Sequence, residues 1–327
     1  MLVLVRTVTG LERLAAAEVA EGNHRVIDVS KRQLLIESTT AIVDNPPRLA
    51  DDLFLIHAAV TDPGHTKQAL ADAVTTLRLA ADPADFAVTA SFHGRRNYNR
   101  FDIEDLVGAA LQSHSGGRYH SRRTGVAPPT DRVDWRVILD GKTLWVGVRP
   151  FAVPLHRRAW RRQTVTGSLH PPVAAAMARL AHISAGMRVL DPFCGAGTIL
   201  LEAHAIESQA IYRGIDQQKA AVRAAELNTQ VRGAITWQTG NSVRLQGPVD
   251  RIVTNPPWDV RVGIGDFRPY LREWRRVLQP AGLVVAILNH EQAAQLIGDA
   301  AWLVHDVYDV AVAGQHPRIV VAGAVDG

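Results

Sequence analysis

At 327 residues, 47% of them apolar and 21% charged, the chain is long enough for two or three units with real cores, and its composition excludes extended disorder as the dominant state. The net charge of +4 is unevenly spread: residues 91–162 hold 14 Lys and Arg against 6 Asp and Glu, the footprint of a surface that meets a polyanion, with an Arg-rich and Ala-rich composition bias contributing. The best candidate for a membrane span, 283–288, is far below the roughly 20 residues needed, and a single cysteine, Cys194, excludes an intramolecular disulfide or a cysteine-built metal site.

Residues 2–8 alternate and are rich in Val and Leu, which predicts a strand, and Thr9-Gly10 then opens a stretch with Leu11, Leu14, Ala15 and Val19 at helical spacing. The first ten residues lack a basic start and a small-residue cleavage site, so a cytoplasmic protein is expected. Residues 25–28 and 33–37 read as a hairpin about Ser30-Lys31, followed by a short helix over 39–43 and a strand over 52–60. Together they form a small α+β unit over 1–62, closed by Pro63-Gly64.

A second unit, 63–155, is expected to hold helices over 66–79 and 102–112, a strand over 86–92, and a hairpin of 133–139 with 143–148 about Asp140-Gly141. Between them, 113–130 is polar, contains Gly and Pro and carries Arg118, Arg122 and Arg123, which predicts a mobile basic loop. Residues 156–166, with Arg157, Arg158, Arg161 and Arg162 around Trp160, read as a basic linker. Arg95, Arg96, Arg118, Arg122, Arg123, Arg157, Arg158 and Arg161 are the expected phosphate contacts of a nucleic-acid-binding surface.

From 167 to 327 strands and helices alternate. Helices are expected over 171–182, 197–208, 217–230, 267–278 and 291–298, and strands over 187–191, 211–216, 234–238, 250–254 and 283–288. This predicts an α/β, mostly parallel, doubly wound sheet, to which 302–312 and 318–323 add an antiparallel C-terminal hairpin. Thirteen histidines fall into no H-E-x-x-H or similar spacing, and no metal is expected.

The chemistry gathers in three places. Asp191-Pro192-Phe193-Cys194-Gly195-Ala196-Gly197-Thr198 is a glycine turn between a strand and a helix, where the backbone can approach a nucleotide-like cofactor that a side chain would exclude. Asp216, 21 residues after Gly195 at the end of the next strand, can accept both hydroxyls of a ribose; its plain alternative is a helix cap. Asn255-Pro256-Pro257-Trp258 follows a third strand. Two prolines stiffen that turn, so that the Asn255 oxygen and a carbonyl expected at Pro256 can accept the two hydrogens of an amino group and turn its lone pair toward a methyl donor. Trp258 offers a flat face for an extruded base, a stacking contact worth roughly 1–3 kcal/mol; alone, the tetrapeptide would read as an ordinary turn with a buried Trp.

In that order, these motifs resemble the class I methyltransferases that act on amino groups of nucleic acids. Gly167-Ser-Leu-His-Pro-Pro-Val-Ala-Ala-Ala176 and, more faintly, 4–12, 86–90, 102–108, 146–148 and 155–158 are similar to the THUMP-domain tRNA guanine-N2 methyltransferases. The resemblance implies a Rossmann-like class I methyltransferase domain preceded by ferredoxin-like and THUMP-like domains, S-adenosylmethionine as cofactor, and tRNA or another structured RNA as partner. By it, Asp191, Phe193, Gly195, Gly197 and Thr198 cradle the methionine part of the cofactor, Asp216 holds the ribose, and Asn255 to Trp258 hold the guanine. Where that family carries an acidic residue facing the adenine, this chain has Asn241, whose oxygen can still accept from an amino group.

The expected activity is transfer of a methyl group to guanine N2, most simply in the tRNA acceptor-stem region, by a monomer without metal. Alternatives are a ribosomal RNA guanine-N2 methyltransferase, a protein glutamine N5 methyltransferase, a DNA amino methyltransferase and a non-catalytic RNA-binding factor. Cys194, inside the glycine turn and without a second cysteine, is read as a small core residue rather than a nucleophile.

Overall fold

The computed structural model describes residues 1–39, 41–79, 83–229, 233–258, 266–312 and 314–325. The alternating strand β1 (Leu2–Thr7) is followed by α1 (Glu12–Glu21), which buries Ala15 and Val19, and by the hairpin β2 (Arg25–Ser30) and β3 (Gln33–Glu37). Then come α2 (Ala41–Asp44), β4 (Ala50–Thr61), α3 (Lys67–Thr75), β5 (Phe86–Phe92), α4 (Arg100–Ser115), β6 (Val133–Leu139) and β7 (Thr143–Arg149). Position 40, inside the helix expected over 39–43, lies outside the described residues.

β4 is the element that joins these parts. Its first half pairs with β1 and its second half with β7, so one sheet of order β2-β3-β1-β4-β7-β6-β5 runs through both expected N-terminal units. α3 ends at Thr75, short of the expected 79, where the Thr75 and Thr76 hydroxyls donate back to the Asp72 and Ala73 carbonyls.

Of the basic segment expected over 113–130, residues 113–115 belong to α4, and 119–123 are fastened to that helix and to β5. Asp105 on α4 accepts from the Tyr119 and Ser121 hydroxyls and from the Arg123 guanidinium, while Tyr119 makes a parallel bridge to Phe86.

The second half folds as the alternation predicts: α5 (Pro171–Leu180), β8 (Arg188–Asp191), α6 (Thr198–Ile206), β9 (Ile211–Asp216), α7 (Lys219–Asn228), β10 (Ile235–Thr239), β11 (Val249–Thr254), α8 (Arg268–Val277), β12 (Leu278–Leu288), α9 (His290–Ile297), β13 (Trp302–Asp309) and β14 (Arg318–Ala324). Its sheet has the order β10-β9-β8-β11-β12-β14-β13, parallel through β12, with β14 antiparallel to both its neighbours. The helix expected over 217–230 ends at Asn228, and position 230 lies outside the described residues.

α5 shows why the two halves form one body. Nearly all of its residues are buried, because it lies in a single apolar core that includes Val5, Leu34 and Ile36 from the first sheet and Val285 and Ile287 from the second. Polar bonds reinforce the join. Glu202 on α6 is fully buried and accepts from Arg48 at 2.9 Å and from Arg158 at 2.9 Å. Asn228 uses its whole amide: the oxygen accepts from the Arg162 and Gln163 N–H groups, and the nitrogen donates to the Gln163 and Ala196 carbonyls. The expected linker is thereby clamped to the second domain.

Removing one partner of a buried ion network leaves uncompensated charge, so Glu202→Ala is expected to lower the unfolding free energy by about 3–5 kcal/mol. Arg318→Ala, which breaks the exposed pair with Asp309, is expected to cost under about 1 kcal/mol. Urea unfolding of the two variants measures both values.

Candidate active site

β9, β8 and β11 are neighbours and parallel, so their carboxyl ends bring Asp216, Asp191 and Thr254-Asn255 to one edge of the sheet. That edge is where open α/β sheets bind ligands. The turn from Pro192 to Gly197 is held from every side. The Cys194 N–H donates to the Ile215 carbonyl, the Gly195 N–H to Asp216 Oδ2, and Ser242 Oγ to the Pro192 carbonyl.

Both glycines have positive φ, yet for different reasons. A Cβ on Gly195 would meet only Val165, at 3.6 Å, so its face is open to a ligand. A Cβ on Gly197 would strike the Trp237 ring at 2.7 Å, so packing already demands glycine there. Gly197 is also the N-cap of α6 and supplies no side-chain cap, and Thr198 is the buried first residue of that helix, which leaves N–H groups of the first turn directed at the edge. Cys194 is buried, and burial drives its thiol well above the usual range, in keeping with a packing role.

Asp191 is almost wholly buried, and its Oδ1 accepts from Thr254 Oγ1 at 2.7 Å and from the Phe193 N–H at 3.1 Å. Burial pushes its pKa up to about 7 against these two bonds, with the negative charge of Asp216 adding to the rise. Asp216 bonds Gly195 through Oδ2 and caps the turn to α7 through Oδ1, which accepts from the Gln218 N–H. Phe193 is half-buried beside Tyr270, with ring centroids 5.3 Å apart. Asn241 is exposed, and its oxygen accepts from the Val243 N–H at 3.0 Å.

At the end of β11, Asn255 Nδ2 donates to the Gly167 carbonyl at 3.2 Å. A carbonyl partner fixes which side of the amide is nitrogen, so Oδ1 faces the other way. That oxygen is buried and has no hydrogen-bond partner. The Gly167 segment also carries Val165, the residue that borders Gly195, so 165–168 flanks both the glycine turn and the Asn255 amide. Pro256 is buried, and Pro257 and Trp258 are half-buried. The Trp258 indole donates to the Ile287 carbonyl at 3.1 Å, the Pro257 carbonyl accepts from Gln292 and the Trp258 carbonyl from Asn289. Among the described residues the Pro256 carbonyl accepts no bond.

The basic residues divide into two groups. Arg96 forms a bidentate pair with Asp62 and is 4% exposed, Arg158 is held by Glu202, and Arg123 is paired with Asp102 and Asp105. Arg122 leans on Glu104 and Thr89. An internal carboxylate pairs with each of these four, so in any contact with a polyanion they would act beside that carboxylate. Arg95, Arg118 and Arg157 are exposed, and Arg161 is half-buried with a guanidinium whose pKa burial lowers.

Asp51, His156 and His170 each place a ligand-capable atom within 4.8 Å of the others, a trio missed in the sequence because Asp51 lies 105 and 119 residues from the two histidines. His170 Nε2 lies 2.5 Å from Asp51 Oδ1, closer than two ligands of one tetrahedral ion with bonds of about 2.0–2.1 Å can sit. This trio is a hydrogen-bonded join between β4 and the start of α5.

A parallel sheet closed by an antiparallel β14 beside β12 places the second half among the class I methyltransferases, for which S-adenosylmethionine is the methyl donor. The family model described as RMKL-like, methyltransferase domain (UPF0020) matches residues 158–318. The chain is 30% identical over 249 residues to the tRNA (guanine(6)-N2)-methyltransferase of Thermus thermophilus, a match that covers 72% of this chain and 71% of that one. It is 35% identical over 163 residues to the U6 snRNA (guanine-N(2))-methyltransferase THUMPD2 of Bos taurus, covering 48% of this chain and 32% of that protein, and so spans about a third of its length. The crystal structure of TrmN from Thermus thermophilus matches it with a TM-score of 0.82 at 26% identity over 99% of both chains. The chain belongs to the family of guanine-N2 RNA methyltransferases that these proteins represent.

Asp191 titrates in a direction that tests the geometry. Its folded pKa of about 7 lies above the ordinary carboxylate value of 3.8, so the native state holds the extra proton and stability falls as pH rises between those values. Both donors use Oδ1, which Asn retains. Asp191→Asn is therefore expected to match the unaltered chain near pH 4 and to exceed it above pH 7, by roughly 4 kcal/mol at most, in urea unfolding across pH. A gap that shrinks with rising pH would contradict this.

Proposed function

We propose that the protein methylates the exocyclic N2 amino group of a guanosine in the acceptor-stem region of tRNA. The observation that carries this reading is the buried, unpartnered Asn255 Oδ1, followed in the chain by a Pro256 carbonyl that accepts no bond among the described residues. A buried acceptor left unsatisfied costs about 1–3 kcal/mol, and a two-hydrogen donor from a substrate would relieve it. An amino group conjugated to a purine is a poor nucleophile until both hydrogens are held and its lone pair is turned out. Asn255 and Pro256 hold them, and half-buried Trp258 bears on the extruded base.

The donor supplies an already activated methyl carbon on a sulfonium. The residues facing it need mainly to align and to exclude water. Gly195 leaves backbone space, the α6 amino terminus takes a carboxylate, and Asp216 takes ribose hydroxyls. The Asp191 carboxyl, with no cationic protein group at it, takes positive charge. Asn241 would offer the adenine whatever acceptor capacity the Val243 bond leaves. The donor would keep the C–S electron pair on sulfur, and the amino proton would pass to solvent as the methylated base leaves the site.

In this reading residues 1–62 are a ferredoxin-like domain, 63–155 a THUMP-like RNA-binding domain on the continuous sheet, and 156–166 the basic linker. The protein acts as a cytoplasmic monomer. The two named relatives, one acting on tRNA and one on U6 snRNA, support a structured RNA as substrate. An amide of a protein glutamine would suit Asn255 equally, but the β-rich first half with its exposed arginines favours RNA.

Asn255→Ala is expected to reduce methyl transfer to tRNA by at least about 10³-fold while calorimetry finds cofactor affinity within a few-fold of normal. Retained turnover would remove the assignment. Arg118, Arg157 and Arg161 replaced together by Ala are expected to flatten the log-log salt dependence of tRNA binding by up to about 0.9 per lost phosphate contact. An unchanged slope would place the RNA elsewhere.

A further inference from the structure

We infer that Gln292 and Asn289, the capping pair of α9, are positioning residues that hold the Asn255–Trp258 corner in its reactive shape. The inference rests on the proposed methyl transfer to an amino group. Gln292 is 2% exposed, and both ends of its amide are engaged: Oε1 accepts from the Asn289 N–H at 3.2 Å, and Nε2 donates to the Pro257 carbonyl at 2.7 Å. Asn289 mirrors it, with Oδ1 accepting from the Gln292 N–H at 2.8 Å and Nδ2 donating to the Trp258 carbonyl at 3.1 Å.

A capping box needs only the two oxygens. Ser at the cap and Glu at the third position would serve it as well, so the two amide nitrogens are what the helix itself does not require. Both nitrogens reach across to the same turn. Together with the bond from the Trp258 indole to the Ile287 carbonyl, they fix the turn through three donors or acceptors on β12 and α9.

The consequence reaches the acceptors. Of the three carbonyls from Pro256 to Trp258, the capping pair occupies the second and third, and among the described residues the first, next in the chain to Asn255, accepts no bond. A turn without N–H groups at Pro256 and Pro257 cannot fasten itself through main-chain donors there, and proline leaves ψ free although φ is set. The α9 amides supply the missing restraint from outside. Because β12 lies in the sheet that carries the glycine turn and α9 follows it directly, the restraint keeps the two acceptors in register with the cofactor edge.

The test separates this role from simple helix capping. Gln292→Glu keeps an oxygen for the Asn289 N–H but sets a carboxylate against the Pro257 carbonyl. When protonated, the same group can donate again. Asn289→Ser keeps a cap and lacks the nitrogen that reaches Trp258. At pH 8, with cofactor and tRNA saturating, each variant is expected to show kcat lowered about 10–100-fold and cofactor affinity by calorimetry within about twofold of the unaltered chain. The kcat of Gln292→Glu relative to the unaltered chain is expected to recover at least about fivefold between pH 8 and pH 5.5, whereas Asn289→Ser stays flat. Hydrogen–deuterium exchange of the peptide over 250–258 is expected to quicken in both variants. Normal kcat in both variants beside an active unaltered chain would overturn the positioning role alone. An unaltered chain that binds the cofactor yet leaves tRNA unmethylated would overturn the proposed function and this role with it.

Discussion

The Asn255 side chain gives one hydrogen bond to a main-chain carbonyl and keeps a buried oxygen with nothing to accept from. Protein interiors rarely leave such an oxygen unmatched, because the cost of desolvating it is comparable to a substantial share of a domain's net stability. The surroundings make sense as the means of keeping it so. Gly167 fixes the amide's direction, the two prolines remove local donors, and α9 fastens the carbonyls that follow.

Asp191 is a second imbalance in the same place. A buried carboxyl with two hydrogen-bond donors and no cation is held partly protonated near neutral pH, a condition a cationic ligand would reverse. The acceptor edge and this carboxyl lie on adjacent strands, tied by the bond from Thr254 to Asp191. Asn228 fastens the segment after the first sheet to the same place by joining Gln163 to Ala196 of the glycine turn.

Much of the fold was legible in the sequence because period-two and helical patterns are local. The strands and helices of the second half fall within a few residues of their expected positions, as do β1 and the β6–β7 hairpin. β12 is an exception: it begins at Leu278 rather than 283, since Gln279-Pro280-Ala281-Gly282 breaks the apolar run even though Leu278 already pairs with Val249. The glycine turn, Asp216 and Asn255 were readable as motifs, and their sequence order predicted their common edge. Gly167 and Asn228 carry no such signal, being a glycine carbonyl and one amide in a helix. Gln292 was readable only as half of an Asn-x-x-Gln helix start. The partners of the arginines carry no local signal either, because the carboxylates can be distant in sequence: Glu202 is 44 residues from Arg158 and 154 from Arg48.

The central claim is that the amino group offered to the Asn255 oxygen belongs to guanine. Unmodified tRNA transcript incubated with the protein and S-adenosylmethionine, then digested and analysed by nucleoside mass spectrometry, tests it most directly. The account predicts N2-methylguanosine and no other new methylated nucleoside. A methyl group found on adenine, on cytosine or on a ribose, or on none of them with the cofactor bound, would contradict it.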